Sequence, residues 1–313
     1  MLLIITNKDD LTADFLITRL IELKKPYFRL NSEDLTKAEF CFSVNNGSVA
    51  RTLSVSERDV DLQSVNCVWY RRKLFFNPPE ELARDQRRYV AGEVINLIEG
   101  MVADPSILWV NPIDSVQLAE RKVYQLRLAQ QLGFMIPNTL ISNAPNQLRS
   151  FSNENKGDVI CKPIFHGLFV SNSERAAVYT HRVKVEDLDN DLQLTVCPTL
   201  LQQEIPKGTD IRVTFIGGEV FPAEIYADKS KPLDWRRQQD PVSYRLYDLN
   251  EDVENRCKVM LKIMGLSFGA FDFVKTEEGQ LYFLEINPTG EWAWLEKEMG
   301  FPMRDAFVRL FYS

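Results

Sequence analysis

The sequence predicts an α/β protein, and three stretches carry that reading. An apolar run at 2–6, then Leu11, Phe15, Leu16, Leu20 and Leu23 at helical spacing, then a second apolar run at 27–30, make a β-α-β opening. In the last third, 199–205, 211–216 and 219–225 read as three strands of an antiparallel meander, the latter two joined across Gly217-Gly218. The chain closes on a hairpin, 267–274 and 280–286 turning over Glu278-Gly279, and on a helix at 303–311.

The other elements fall between these. Strands at 40–44 and 49–55 flank Asn46-Gly47, whose tolerance of positive φ suits a hairpin turn. A strand follows at 66–70 and a long helix at 79–101. A new unit begins at 107–112, and 115–132 reads as one helix stopped by Gly133, a favoured residue just past a helix C-terminus. Strand-like segments at 139–141, 159–163 and 177–180 are separated by Asn- and Ser-rich loops, and 252–264 is a helix stopped by Gly265. The expected division is an N-terminal unit over 1–110, a central lobe over 111–190 and a C-terminal lobe over 191–313.

Composition narrows the function. With 313 residues, 45% of them apolar, there is ample material for cores. A formal charge of -7 and a pI near 5.2 argue against a nucleic-acid-binding surface, which needs a net-basic face. Cys41, Cys67, Cys161, Cys197 and Cys257 are odd in number and scattered, which fits reduced thiols in the cytoplasm rather than a disulfide framework or a zinc site. The opening apolar run is too short for a signal peptide, and no stretch approaches the roughly 20 apolar residues of a membrane span.

Chemistry concentrates in the closing hairpin, Phe268-Gly-Ala-Phe-Asp-Phe-Val274 and Leu281-Tyr-Phe-Leu-Glu-Ile-Asn-Pro288. Glu285 and Asn287 are two apart and so project from one face, and Asp272 stands on the partner strand. Three oxygen donors converging on paired strands suit a hard cation that keeps waters and shares phosphate oxygens, which describes Mg²⁺ on ATP. These residues could instead line a solvent face, but their neighbours are strongly apolar, and burying an unpaired carboxylate is costly.

This hairpin resembles the Mg²⁺ motif of ATP-grasp ligases, and the rest of that family's order is present: Lys122 in Ala119-Glu-Arg-Lys122, Lys162 in Val159-Ile-Cys-Lys-Pro163, Leu201-Gln-Gln-Glu-Ile-Pro-Lys207, and Asp210-Ile-Arg212. The resemblance implies an ATP-grasp fold with ATP between the central and C-terminal lobes. It implies Lys122 and Lys162 on phosphate oxygens, Gln203, Glu204, Ile205 and Lys207 at the hinge that reads adenine, and Asp210 on the ribose. It assigns Mg²⁺ to Asp272, Glu285 and Asn287, and makes Arg212 the catalytic cation facing the transferring phosphoryl group and the substrate carboxylate. A lone lysine is usually solvated and a strand arginine often makes a surface ion pair, so only their place in the series singles these out. One departure is the loop after Lys162, Pro-Ile-Phe-His-Gly167, with a single glycine where many of the family have a glycine-rich phosphate cover. His166 reads as a loop residue.

A closer resemblance runs through Trp69-Tyr-Arg-Arg72, Asn111-Pro112, Gln125-Leu-Arg-Leu-Ala129, Ile136-Pro-Asn-Thr139, Asp234-Trp-Arg236 and Asn287-Pro-Thr-Gly-Glu-Trp292. These are similar to the microviridin-type, or graspetide, peptide ligases. That resemblance implies an ADP-forming macrocyclase that phosphorylates Asp or Glu side chains of a ribosomal precursor peptide. Ser or Thr hydroxyls, or Lys amines, then close ω-ester or ω-amide rings. The peptide's leader would be recognised separately from its core, with Arg236 reaching ATP phosphates or the acidic side chains and 228–244 near the cleft. A homodimer is compatible with this reading. Two alternatives share the core motifs: a ligase that adds free amino acids to a protein or small acid, and a non-catalytic nucleotide-binding regulator, which the intact metal triad and Arg212 disfavour.

Overall fold

The computed structural model describes residues 1–55, 58–165, 168–171, 174–206, 208–226 and 243–313, and of 168–171 and 174–177 the backbone alone. At the N-terminus a parallel sheet has the strand order Tyr27–Asn31, Leu2–Thr6, Cys67–Tyr70, Leu108–Val110. Leu2–Thr6 is buried at every position because both of its faces are covered. Leu2 and Ile4 enter one hydrophobic core, and Leu3 and Ile5 another. Helix Leu11–Glu22 starts at Asp10, whose carboxylate accepts the N–H groups of Thr12 and Ala13, each at 3.2 Å.

The hairpin Ala38–Asn45 and Ser48–Val55 turns at Asn46-Gly47 as predicted, but neither turn residue takes a positive φ. The Asn45 Oδ1 instead accepts the N–H groups of Gly47 and Ser48 at 3.0 and 3.1 Å, so a side chain shapes the turn.

Two further expectations are corrected. The helix predicted over 115–132 is two helices, Ile113–Ala119 and Lys122–Gln131, broken at Glu120-Arg121. Buried Gln125 accounts for the break: its Nε2 donates to the Ala119 carbonyl at 2.5 Å and to the Ile286 carbonyl at 2.9 Å, and its Oε1 accepts the Ile286 N–H at 3.0 Å. A side chain thereby takes the carbonyl that a continuing helix would have used. Lys122 consequently stands at the first position of a new helix instead of in the middle of an old one.

The strand Thr199–Gln203 does not belong to the meander. It pairs with Val159–Lys162 and Thr139–Ser142 in a central sheet ordered His181–Arg182, Val159–Lys162, Thr199–Gln203, Thr139–Ser142. Its Leu201 completes a small core with Leu148, Leu188 and Leu194. The chain then changes sheets: the Glu204 N–H still donates to the Asp158 carbonyl, whereas the Gly208 N–H donates to the Lys275 carbonyl, each at 2.9 Å. A Cβ at Gly208 would lie 2.9 Å from that same carbonyl, so the crossing needs glycine.

The C-terminal sheet has the order Ser243–Leu246, Glu219–Tyr226, Thr209–Ile216, Phe268–Lys275, Leu281–Asn287. Val213, Phe215, Phe271, Phe273 and Phe283 pack with Met260 and Met264 of helix Glu251–Met264, which ends at Gly265 with φ 66°. Ile216, Phe221 and Phe268 pack instead with Phe307 of helix Met303–Phe311 and with Leu2 and Trp69 of the N-terminal sheet. The N-terminal and C-terminal sheets therefore share one core.

Asn111 fastens that junction. Its Nδ2 donates to the carbonyls of Phe268 and Pro288 at 2.9 and 2.8 Å, and its Oδ1 accepts the N–H groups of Ser267 and Phe268 at 2.8 and 3.0 Å. Asn111→Ala leaves these buried main-chain groups unpaired, at about 1–3 kcal/mol each before relaxation. A loss of about 3 kcal/mol in unfolding free energy is expected in urea titration followed by circular dichroism, and a change below about 0.5 kcal/mol would mean the clamp carries no net stability.

Candidate active site

A cavity of about 430 Å³ lies between the central and C-terminal sheets. Strand geometry explains how its polar wall forms. Arg212 is paired opposite Asp272, Asp272 opposite Glu285, and Ala270 opposite Asn287, with a register shift just after Asp272. Asp272, Glu285 and Asn287 all line the cavity, and the Asn287 Nδ2 donates to the Asp272 Oδ2 at 2.8 Å. Two carboxylates and an amide oxygen form a hard-donor set, chemically suited to a cation that draws its other ligands from phosphate and water. Among the described residues no three His, Cys, Asp or Glu side chains form a metal-holding group, so a cage made of protein ligands alone is not what the fold offers.

Two lysines face this wall. Lys122, at the helix break, donates to the Pro163 carbonyl at 2.8 Å and lies 3.7 Å from the Glu285 Oε2. Lys162 donates to the Gln202 Oε1 at 2.8 Å, and Gln202 in turn donates through Nε2 to the Thr139 hydroxyl at 2.9 Å. Burial pushes the Lys162 ammonium down to about 8; Glu285 opposes that shift and Lys122 adds to it. Lys162 is thus a cation held at a cost in the folded chain.

The hinge residues Gln203, Glu204 and Ile205 lie on the same cavity, as does Asp210. The Gln203 N–H donates to the Asn138 carbonyl at 2.8 Å. The Glu204 carboxylate is gripped by Arg182, Nη2 to Oε1 at 2.6 Å and Nε to Oε2 at 2.7 Å, so only its backbone is left for a ligand. Among the described residues the Glu204 carbonyl and the Ile205 N–H make no hydrogen bond. Ile160, Phe273 and Leu284 add apolar surface to the wall.

Arg212 is placed differently from the other site residues. It is 5% exposed, is not among the described residues lining the cavity, and sets its Nη1 3.2 and 3.3 Å from the two Asp272 oxygens. Its charge reaches the site through Asp272. Lys207, Arg236, Trp235 and His166 lie outside the described residues.

Sequence reasoning left Gln202, Glu120 and Thr289 unassigned, and all three line the cavity. Gln202 could have been singled out, because a glutamine that continues the apolar strand run of Leu200-Leu201 must find a partner when buried. Glu120 could not, since it reaches the cavity only because the helix breaks beside it.

The comparisons agree with this geometry. The family model described as the MvdD pre-ATP grasp domain matches residues 1–117. No curated protein sequence matches the chain. Among solved structures, macrocyclase MdnC from Microcystis aeruginosa MRC, bound with precursor peptide MdnA, is 30% identical with a TM-score of 0.89, over 100% of this chain and 99% of that one. Macrocyclase MdnB from the same strain is 26% identical with a TM-score of 0.82, over 99% and 98%. A RiPP-associated ATP-grasp ligase of Chryseobacterium gregarium, in complex with ADP and a leader and core peptide, is 24% identical with a TM-score of 0.88, over 99% and 96%. With 30% identity to MdnC along the whole of both chains, and a fold that brings the motif residues onto one cavity, the chain belongs to the microviridin-type (graspetide) macrocyclases of the ATP-grasp ligases.

Proposed function

We propose that this protein uses Mg·ATP to phosphorylate Asp or Glu side chains of a ribosomally made precursor peptide and then joins each acyl phosphate to a hydroxyl or amine of the same peptide, closing ω-ester or ω-amide rings. The observation that carries the proposal is the meeting of Asp272, Glu285 and Asn287 with Lys122 and Lys162 on one cavity between two sheets. The precursor peptide bound to MdnC, and the ADP with leader and core peptide bound to the Chryseobacterium ligase, support reading the cleft as a place for nucleotide and peptide together.

In this reading Asp272, Glu285 and Asn287 would hold Mg²⁺, which would supply positive charge against the negative charge of the phosphates. Lys122 and Lys162 add positive charge for the phosphates, Lys162 from a buried position where a unit charge counts most. The Glu204 carbonyl and Ile205 N–H are assigned to the adenine edge, with Gln203 and Lys207 beside them, and Asp210 to the ribose hydroxyls. Arg212 fixes Asp272 through their ion pair and, by motif resemblance, is the proposed catalytic cation that would offset charge on the transferring phosphoryl group. Arg236, with Arg212, is assigned to the acidic side chain of the peptide by motif resemblance. The partner is a leader-bearing peptide, not nucleic acid or membrane, and we place the enzyme in the cytoplasm, where a homodimer is compatible with this reading. Among the described residues no helix is long and apolar enough to cross a membrane.

Given ATP, Mg²⁺ and its cognate precursor, the enzyme is expected to release ADP and phosphate while the peptide loses one water mass per ring, because in this reading the cations serve attack at the γ-phosphate. Peptide mass spectrometry with a coupled ADP assay decides this. Release of AMP would overturn the chemistry, and addition of a free amino acid would install the amino-acid ligase reading.

Asp272→Ala, Glu285→Ala and Asn287→Ala are each expected to abolish turnover with the thermal midpoint kept near that of the parent protein. Full activity in the Glu285 variant would sink the metal assignment.

Lys162 yields a pH-dependent expectation. Its proton is lost near pH 8 in the folded chain against 10.5 for a free lysine. The unfolded chain therefore holds more protons between those values, so Lys162's cost to stability is full below about 8 and is relieved as pH rises toward 10.5. A bound phosphate restores the ammonium. Calorimetry of ADP binding above pH 8, in buffers of different ionisation enthalpy, should therefore show uptake of up to about one proton. Lys162→Met should bind more weakly, by roughly 1.5–3 kcal/mol, and show no uptake. Equal uptake in both proteins would remove Lys162 from the phosphate site.

A further inference from the structure

The metal hairpin ends in the turn 287–290, closed by the Gly290 N–H donating to the Asn287 carbonyl at 3.4 Å. Gly290 fits there because a Cβ would lie 3.0 Å from the Ala270 Cβ and 3.2 Å from the Asn287 Cβ. Pro288 and Thr289 line the cavity. The carbonyls of this turn are nonetheless held from the side of the N-terminal domain: Asn111 Nδ2 takes the Pro288 oxygen at 2.8 Å, and Arg71 Nη1 takes the Thr289 oxygen at 2.6 Å.

Arg71 follows the strand Cys67–Tyr70, its own N–H donating to the Ile5 carbonyl at 2.9 Å, and it is only 2% exposed. Its guanidinium points three ways at once. Besides the Thr289 carbonyl, Nη2 lies 2.5 Å from the Glu291 Oε1, and Nε lies 3.4 Å from the Oδ2 of Asp10, the cap of helix Leu11–Glu22. Glu291 is also reached by Arg72 and by the Thr12 hydroxyl, so the residue just past the turn is tied to both the first helix and the first sheet. A lysine would bring a single point charge in place of the fork that donates to the Thr289 carbonyl from between the carboxylates of Asp10 and Glu291. None of these groups belongs to the nucleotide site as assigned.

We propose that Arg71 is a positioning residue for the reaction: from the N-terminal domain it fixes the turn that carries Asn287, and with it the metal end of the site. The proposal rests on Asn287 being a Mg²⁺ ligand. Support behind metal ligands typically alters metal affinity by roughly 10–100-fold when it is lost. Arg71 is placed to act that way, one carbonyl and two residues removed from the ligand.

The test measures ADP binding by calorimetry with Mg²⁺ and with EDTA, for the parent protein, Arg71→Lys, Glu291→Gln and Asn287→Ala, after a cooperative thermal melt confirms each variant is folded. Arg71→Lys is expected to bind ADP in EDTA as the parent does but to need roughly tenfold more Mg²⁺ to reach the tightly bound state. Glu291→Gln, which keeps its size and is half exposed, should shift the Mg²⁺ requirement the same way by less. If Arg71→Lys fails to fold, Glu291→Gln decides. A folded variant with the parent's Mg²⁺ dependence, while Asn287→Ala loses it, overturns the positioning role and leaves the metal reading standing. Retention of Mg²⁺ dependence in Asn287→Ala overturns the metal reading and this proposal together. A loss of ADP affinity in EDTA as large as in Mg²⁺ would show general damage to the cleft, and would also overturn it.

Discussion

The site depends on one aspartate held by partners on both neighbouring strands of the C-terminal sheet. Asp272 stands between Phe271 and Phe273 on a middle strand, where a bare carboxylate would be strongly disfavoured. Arg212 across one strand and Asn287 across the other compensate it, both reaching the same carboxylate. The pairing registers bring these partners to it: Arg212 faces Asp272 directly on one side, and on the other the regular register up to the irregularity sets Glu285 opposite Asp272 and Asn287 opposite Ala270. A cation arriving at this wall exchanges with interactions already in place and meets little cost of organising its ligands.

The lysines are the counterpart of that wall and are held by different means. Lys122 is placed by a helix break, which is itself set by Gln125 reaching between the Ala119 carbonyl and the hairpin strand. Lys162 is placed by Gln202 and the Thr139 hydroxyl behind it. Amide side chains of neutral charge thus set where the cations stand, although Lys122 also lies 3.7 Å from the Glu285 carboxylate.

The hairpin carrying Asp272, Glu285 and Asn287 was legible in the sequence because strand alternation has a period of two and the intervening residues are apolar, so the polar face could be counted directly. The turns at Gly265 and Gly279 were legible for a similar reason, each glycine taking the positive φ that ends its element. The break before Lys122 was not, since it comes from Gln125 acting across 161 residues on Ile286. Nor was the placement of Thr199–Gln203: its apolar pattern fits either sheet, and the choice is made by Leu201 packing with Leu148 and Leu194. Arg212 shows the same limit in a sharper form, because its motif position marks it for the site while its contact runs to Asp272 and not to the cavity wall.

The two sides of the cleft rest on unequal foundations, and this bears on what closes it. The carboxylate wall belongs to a sheet that shares a large core with the N-terminal domain, through Phe268, Phe307, Trp69 and Trp292. Lys162 belongs to a sheet whose own core is small, built on Leu148, Leu188, Leu194 and Leu201. The wall carries the carboxylates of Glu285 and Asp210, whereas the facing strand carries Lys162, whose ammonium is disfavoured by burial. In the proposed reading, a phosphate group with its cation would draw the lysine toward its charged form and set metal charge beside the carboxylates, so that the ligand would join the two sides of the cleft.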